Sequence, residues 1–149
     1  MAVSRGSGTE IIRSIHLETI ADTDKPLIIG VQHHIYTVLS VIVFAESVNA
    51  SGDYVRMYLL GYDSNAGTTQ QRHYIFRQGM SNHDTYVFND KFSFNGYEPT
   101  DFTGPMDDAT KQDAIADQGT ATSQHLTFDT DHAGTNFDIT VTYIDQNNA

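Results

Sequence analysis

Histidine is the residue type in this sequence best suited to metal chemistry. The seven histidines are His16, His33, His34, His73, His83, His125 and His132. A metal site on a β-sandwich needs two or three converging ligands, commonly as His-x-His on one strand, and that spacing does not occur. His33 and His34 are adjacent, so in a strand their side chains face opposite sides. We therefore expect surface or subunit-contact histidines and no metal or other cofactor.

Acidic residues near a glycine turn raise the question of calcium. The segment DTDHAGTNFD carries Asp129, Asp131 and Asp138 and partly resembles a calcium-binding loop. Ala133 occupies the place of the fifth-position ligand, and Thr140 occupies that of the closing glutamate. Aspartate is also common in turns because its side chain bonds the neighbouring backbone. The segment is interpreted first as a turn, and calcium at Asp129 and Asp131 is left open.

Catalytic signatures are missing from the sequence. Nineteen acidic residues allow any pair of carboxylates, and nothing in the sequence selects one. The Gly-x-Ser-x-Gly motif of serine hydrolases does not occur. Cysteine is absent, which excludes disulfides, thiolate zinc sites and a cysteine nucleophile. We expect a protein that is not an enzyme.

The charge balance limits the partners. Eight Lys and Arg residues against nineteen Asp and Glu residues give a net charge of −11. A generic nucleic-acid binder needs a basic patch, and an acidic surface repels DNA and anionic lipid. The longest apolar run, residues 35–45, is shorter than the about 20 residues of a membrane-spanning helix. We expect neither nucleic acid nor a membrane as partner.

Strand signals dominate the chain. Short apolar-alternating segments separated by turns predict about eight strands, the cleanest of them NFDITVTYID near the C-terminus. A short helix is predicted over 107–118, inside a long irregular excursion over 97–124. Residues 1–10 read as a flexible arm, and 11–149 as a single domain. The pattern predicts an all-β fold, an antiparallel β-sandwich or jelly roll.

One predicted strand, HHIYTVLSVIVFAES, is apolar in both phases of the alternation. One phase carries Tyr36, Val38, Ile42 and Phe44, and the other carries Ile35, Leu39, Val41 and Val43. The strand is therefore expected to be buried on both sides for much of its length. Its second face could be covered by the edge of the second sheet, by the 97–124 excursion or by a neighbouring subunit. Alternatively, the strand crosses between sheets and its two ends face different cores.

Aromatic residues supply the remaining candidates for binding. Tyr54, Tyr58 and Tyr62 share one phase of a strand, and such a row could pack on another subunit or stack on a sugar. A shared apolar surface between chains is predicted to use Tyr36, Val38, Ile42, Phe44, Tyr54, Tyr58, Tyr97 and Phe102. A carbohydrate site would instead draw on Tyr62, Tyr74, Tyr97 and Phe102.

The order of the segments resembles a known family. SIHLETIADTDKPLIIGV, HHIYTVLSVIVFAESVNASGDYVRMYLLG, TYVFNDKFSFNGYE and FDITVTYID cover most of 10–98 and 123–145. This series is similar to the small β-sandwich virion proteins of tailed bacteriophages, which decorate capsids or form the base of head fibres. The 97–124 excursion is longer and more irregular than that family suggests.

The resemblance implies a structural virion protein on the surface of the phage particle. It would decorate or cement the capsid through contacts with the major capsid protein or an adjacent head or tail protein. Such proteins are commonly trimeric, so the resemblance also implies a homotrimer. The alternative is a carbohydrate-binding or receptor-binding domain of a tail or fibre.

Overall fold

β-strands make up most of the chain in a computed structural model, which describes residues 9–20, 24–63, 68–99, 108–110, 112–113 and 121–147. The strands are β1 (Glu10–Ile20), β2 (Lys25–Ile29), β3 (His34–Ser47), β4 (Tyr54–Asp63), β5 (Thr68–Gly79), β6 (Thr85–Phe88), β7 (Phe92–Asn95), β8 (Tyr97–Pro99), β9 (Ala121–Ser123), β10 (His125–Thr130) and β11 (Asn136–Asn147). No helix in the described part of the chain is long and apolar enough to cross a membrane.

Two sheets carry the fold. Sheet 1 runs β1-β11-β3, with β6 and β7 both on the far side of β3. Sheet 2 runs β2-β10-β4-β5, and β8 and β9 form a separate two-stranded sheet. Every pairing is antiparallel. β6 pairs with Val41–Phe44 and β7 with Ile35–Val38, so β6 and β7 act as one strand with a break at 89–91.

The pairing of the strands is nested. With β6 and β7 counted as one strand and the β8–β9 hairpin set aside, eight strands remain. The first pairs with the last, the second with the seventh, the third with the sixth, and the fourth with the fifth. This arrangement of two four-stranded sheets is a jelly roll, which confirms the predicted all-β fold class.

The core lies between the inward faces of the two sheets. Strand β11 shows the predicted alternation, with Phe137, Ile139, Val141 and Tyr143 buried and the residues between them half-buried. β4 and β10 contribute the large buried side chains of sheet 2, namely Val55, Met57, Leu126 and Phe128. Because apolar burial is the main stabilising term in folding, these inward rows hold the two sheets together.

A bulge in β3 explains its apolar run. Ser40 lies opposite Thr142, but Val38 lies opposite Tyr143, so Leu39 is an extra residue on β3. Before the bulge the buried residues are Tyr36 and Val38, and after it they are Val41, Val43 and Ala45. A bulge changes the phase of a strand, so both halves face the same core. This corrects the predictions of burial on both sides and of two different cores, and it turns Ile42 and Phe44 outward.

The 97–124 excursion leaves and re-enters the sandwich as the hairpin of β8 and β9, in which Tyr97 pairs with Ser123. Residues 109–110 and 112–113 are helical, and the Gln112 N–H donates a hydrogen bond to the Asp108 carbonyl at 3.2 Å. These residues fall inside the predicted helix over 107–118. The rest of that prediction lies outside the described residues. Of the arm predicted over 1–10, residues 1–8 also lie outside them, and Glu10 begins β1, where it pairs with Gln146.

Candidate functional site

The eight predicted interface residues separate into three groups. Tyr36 and Val38 are 3% and 0% exposed and face the core, and Tyr58 is 1% exposed beneath neighbouring side chains of sheet 2. Their assignment to a contact between chains is therefore corrected, because they are covered within the chain. Ile42, Phe44, Tyr54 and Tyr97 keep exposed surface, so for these the interface stays a prediction. Phe102 lies outside the described residues.

The outer face of sheet 1 carries a small apolar patch. Ile42 on β3 and Val87 on β6 are cross-strand neighbours and are 41% and 46% exposed. Phe44, two residues further along β3, is half-buried, and its ring stacks on His83 with centroids 6.2 Å apart. We call Ile42, Phe44 and Val87 the outer patch. It lies beside β6, the edge strand at this end of the sheet, and Ile42 and Val87 keep more than 40% of their surface exposed.

The outer face of sheet 2 has a different chemistry, because it carries arginine and tyrosine side chains that contact one another. Arg56 makes a bidentate pair with the buried Asp129, with Nε to Oδ1 at 2.8 Å and Nη2 to Oδ2 at 2.5 Å. This pairing holds the pKa of Arg56 above its usual value. The Arg56 guanidinium also lies 5.3 Å from the ring centre of Tyr54 and 5.1 Å from that of Tyr74. Such a charge-assisted pair fixes the guanidinium in one geometry.

A second arginine on this face is held by two contacts. Arg72 donates from Nη2 to Asp24 Oδ2 at 3.1 Å and lies 5.0 Å from the ring centre of Tyr58. The Tyr58 and Tyr74 rings meet edge to face with centroids 5.5 Å apart. Tyr74 is 52% exposed, whereas Tyr58 is covered by Arg72 and Tyr74. The guanidinium of Arg72 is thus preorganised at the surface.

A cleft of about 240 Å³ opens beside Arg72 on the same face. Its lining is Asp24, Pro26, Tyr58, Leu60, Arg72, His125 and Thr127. These side chains come from β2, β4, β5 and β10 and from the residue before β2, so the whole width of sheet 2 contributes. Thr127 lies opposite Tyr58 in the β10–β4 pairing and is buried, which places it on the floor of the cleft. We call this the sheet 2 cleft.

Tyr58 is the most perturbed acid in the cleft. Burial raises the pKa of its phenol to about 12, and the nearby Asp24 carboxylate adds to the shift by repelling the phenolate and by bonding the hydroxyl. The hydroxyl therefore keeps its proton throughout the neutral range. Tyr58 is accordingly poorly suited to act as a base.

A buried carboxylate ties three strands of sheet 1 together. His34 Nδ1 lies 2.6 Å from Asp145 Oδ1, and Arg13 Nε donates to Asp145 Oδ2 at 3.1 Å. Asp145 is 8% exposed, and both of its oxygens have partners. The cluster links β1, β3 and β11 at one end of the sandwich, and its geometry fits a structural role.

Four of the residues considered for metal binding make other contacts. Asp129 is occupied by Arg56, and Asp131 accepts a hydrogen bond from the Tyr54 N–H at 3.1 Å. His16 bonds Thr140, and His132 accepts from the Gly134 N–H within its own turn. Within the described ranges, no group of three or more His, Asp or Glu residues is placed to hold a metal ion.

Sequence reasoning missed the arginines of sheet 2. Arg56 sits between Tyr54 and Tyr58 at the period of two that places side chains on one face of a strand, and Arg72 and Tyr74 have the same spacing. That spacing was the available signal. The partner acids, Asp24 and Asp129, are distant in sequence and come close only through the strand pairing. Of the proposed sugar-binding aromatics, Tyr74 lies next to the cleft, whereas Phe102 and the side chain of Tyr62 lie outside the described residues.

Comparison with known proteins adds little to these observations. No protein-family model matches the chain, and no curated protein matches it by sequence. Among solved structures, it is similar to one of infectious bursal disease virus, Gx strain, at 12% identity and a TM-score of 0.42, covering 91% of this chain and 32% of that chain. A structure of the Gt strain of the same virus matches at 14% identity and a TM-score of 0.35, covering 95% and 38%.

The chain thus spans about a third of the length of each of those viral chains. Structural similarity at TM-scores of 0.42 and 0.35 carries no conclusion about function. The jelly-roll assignment follows from the strand pairing. Jelly rolls of this kind occur in viral capsid proteins, in lectin domains and in cupins. The fold is therefore one that capsid proteins use, and the choice among its uses depends on the surfaces described above.

Proposed function

We propose that this chain is a structural protein of a virus particle, and specifically that it decorates or cements the capsid of a tailed phage. In this proposal it acts by adhesion without catalysis, as a homotrimer at the particle surface. Its partner is the major capsid protein or an adjacent head or tail protein. The jelly-roll topology and the resemblance of the strand series to phage virion proteins both support this function.

The outer patch is the observation that carries the proposal. Ile42 and Val87 expose more than 40% of their surface although they are cross-strand neighbours in the sheet, and Phe44 extends the same apolar area. The bulge at Leu39 is what turns Ile42 and Phe44 outward, away from a core that could have held them. Contiguous exposed apolar residues mark contact surfaces more often than scattered ones do. We assign the outer patch to the contact between copies of this chain.

The acidic charge of the molecule fits the same function. With a net charge of −11, copies that are joined through an apolar patch still repel one another elsewhere, which opposes indiscriminate aggregation. A decorating protein needs this combination, since it must bind at one place and leave the rest of the particle surface soluble.

The test is the mass of the purified protein in solution, measured by light scattering across a dilution series. We expect three times the 16.6 kDa of one chain. Ile42→Asp places a charge in the outer patch and should dissociate the assembly to monomers. Ile29→Asp is the matched control, because Ile29 is also an exposed isoleucine (56%) but lies on β2 of the other sheet, and it should leave the mass unchanged.

Two results would overturn parts of the proposal. A monomeric wild-type protein at all concentrations would remove the trimer and the role of the outer patch. Absence of the chain from purified phage particles, judged by mass spectrometry of particles that encode it, would remove the virion function itself. Particle density of threefold symmetry at the positions of this protein would support both.

A further inference from the structure

We propose that the sheet 2 cleft binds a single neutral sugar ring. This site lies on the opposite sheet from the outer patch, so the inference does not depend on the proposed virion function. It follows from the size of the cleft, from the balance of its charges and from the hydrogen-bonding groups that face into it.

The size of the cleft suits one small ring. Its volume of about 240 Å³ is below the about 300–1,000 Å³ of pockets that enclose drug-sized ligands. Four strands or their flanking residues contribute to its walls, so the opening has defined boundaries. A peptide segment or an oligonucleotide would have to extend beyond it, whereas a hexose would not.

The charges in the cleft favour a neutral ligand. Arg72 supplies one positive charge and Asp24 one negative charge, and the two are paired at 3.1 Å. An anion would meet the half-exposed Asp24 carboxylate in a protein whose net charge is −11. A cation would meet the fixed guanidinium. Neither kind of ion is therefore favoured over an uncharged polar molecule.

The hydrogen-bonding groups match hydroxyls. A guanidinium has five N–H donors and an ionised carboxylate has only acceptors, so the Asp24–Arg72 pair presents both kinds side by side. A sugar hydroxyl donates and accepts at once and can therefore bridge such a pair. Contacts with Asp24 and Tyr58 hold Arg72 in place before any ligand arrives, which reduces the entropy lost on binding.

Apolar surface for the C–H face of a sugar is present as well. Pro26 and Leu60 line the cleft, and the 52% exposed ring of Tyr74 stands next to Arg72 at its rim. Sites that bind small molecules commonly combine apolar walls with a few placed polar groups. His125 adds a further imidazole nitrogen within the lining.

The experiment is a titration of the ¹⁵N-labelled full-length protein, followed by NMR, with the methyl glycosides of glucose, galactose, mannose and N-acetylglucosamine. We expect saturable shifts of the backbone amides of His125 and Thr127 with at least one of these probes. Arg72→Met and Asp24→Asn should each weaken that binding by about tenfold or more, because each removes charge-assisted hydrogen bonds. Arg77→Met is the matched control: Arg77 lies on the same strand, 3.8 Å from the ring centre of Tyr54 and outside the lining of the cleft, so binding should be unchanged.

Three outcomes would overturn the inference. The first is the absence of saturable shifts at these amides with all four glycosides. The second is an equal or larger response to inorganic phosphate or acetate, which would make the cleft an anion site. The third is equal weakening by Arg77→Met and Arg72→Met. The amide spectrum of each variant reports its folding in the same measurement, and Asp24→Asn keeps the shape of a half-exposed side chain, so it provides the test if another variant unfolds.

Discussion

Tyr58 shows how a single residue changes its chemistry through its neighbours. Its position in the strand points it outward on sheet 2, where a tyrosine would ordinarily be wet. Arg72 and Tyr74 cover it instead, and it keeps 1% exposure. This cover makes the phenol part of the floor of the cleft, and the nearby Asp24 carboxylate helps to raise its pKa.

This environment predicts a dependence of stability on alkaline pH. The folded-state pKa of Tyr58 is raised to about 12, and the unfolded value is about 10. The folded state therefore holds the proton more tightly, so the stability present below pH 10 is lost as the pH rises towards 12. The contribution of this one group changes by at most about 1.4 kcal/mol per pH unit.

Urea unfolding at several pH values between 9 and 12 measures this loss for the wild type and for Tyr58→Phe. Burial also raises the pKa values of Tyr36 and Tyr143, so both proteins lose some stability in this range. Only the difference between them isolates Tyr58, and the variant should show the shallower decline. Parallel curves would contradict the assignment.

At the scale of elements, the sequence predicted where the strands lie better than which residues of each strand face the core. β11 has an uninterrupted alternation because it pairs on both sides along most of its length, and this alternation was predicted from NFDITVTYID. β3 has an equally strong apolar signal, but the bulge at Leu39 shifts its phase. A bulge is decided by the partner strand, so the sequence of β3 alone could not place it. The same holds for the cleft, where Asp24 and Arg72 meet only after the strands have paired.

Backbone hydrogen bonds attach the β8–β9 pair to the sandwich at a place where backbone segments lie very close together. The Gly30 N–H donates to the Gln124 carbonyl, the Gln124 N–H to the Gly96 carbonyl and the Gly96 N–H to the His34 carbonyl, each at 2.8 Å. A Cβ on Gly96 would lie 2.1 Å from the Val31 carbonyl oxygen. Backbone atoms cannot move aside cheaply, so glycine is required here by space.

Gly96→Ala should therefore destabilise the protein by about 1–3 kcal/mol or more, the cost of overpacking a tight site. Gly134→Ala is the matched control, since its Cβ would meet side-chain atoms of Asn49 and His132 at 3.3–3.4 Å, which can shift. Chemical denaturation of both variants measures the difference. Equal free energies of unfolding for the two variants would show that the backbone around Gly96 and Val31 has more room than the distances indicate.

Seen as a whole, the molecule is acidic but its cations are not spread evenly. Four of the eight Lys and Arg residues, namely Lys25, Arg56, Arg72 and Arg77, belong to the strands of sheet 2. Sheet 1 presents the outer patch and the half-exposed Arg13, which is paired with the buried Asp145. The two faces therefore differ in kind, one suited to apolar contact and one to polar recognition, and they can be altered separately by substitution.

The nested pairing of the strands also predicts the order in which the strand pairs form during folding. β4 and β5 adjoin along the chain, whereas β1 and β11 enclose almost all of it, so their pairing closes the longest loop. Chains dominated by such distant contacts fold in milliseconds to seconds. We expect Val55→Ala in β4 to slow folding and Ile15→Ala in β1 mainly to speed unfolding, as stopped-flow kinetics would measure. The opposite result, slower folding for Ile15→Ala and faster unfolding for Val55→Ala, would place the folding nucleus at β1 and β11.

If β1 pairs with β11 last, β11 has one unpaired edge during the final stage of folding. An open strand edge accepts any strand that reaches it, including the β1 of another molecule. Crowded synthesis of many copies would then favour exchange of β1 between neighbours, and the yield of correctly closed protein should fall as the concentration during refolding rises.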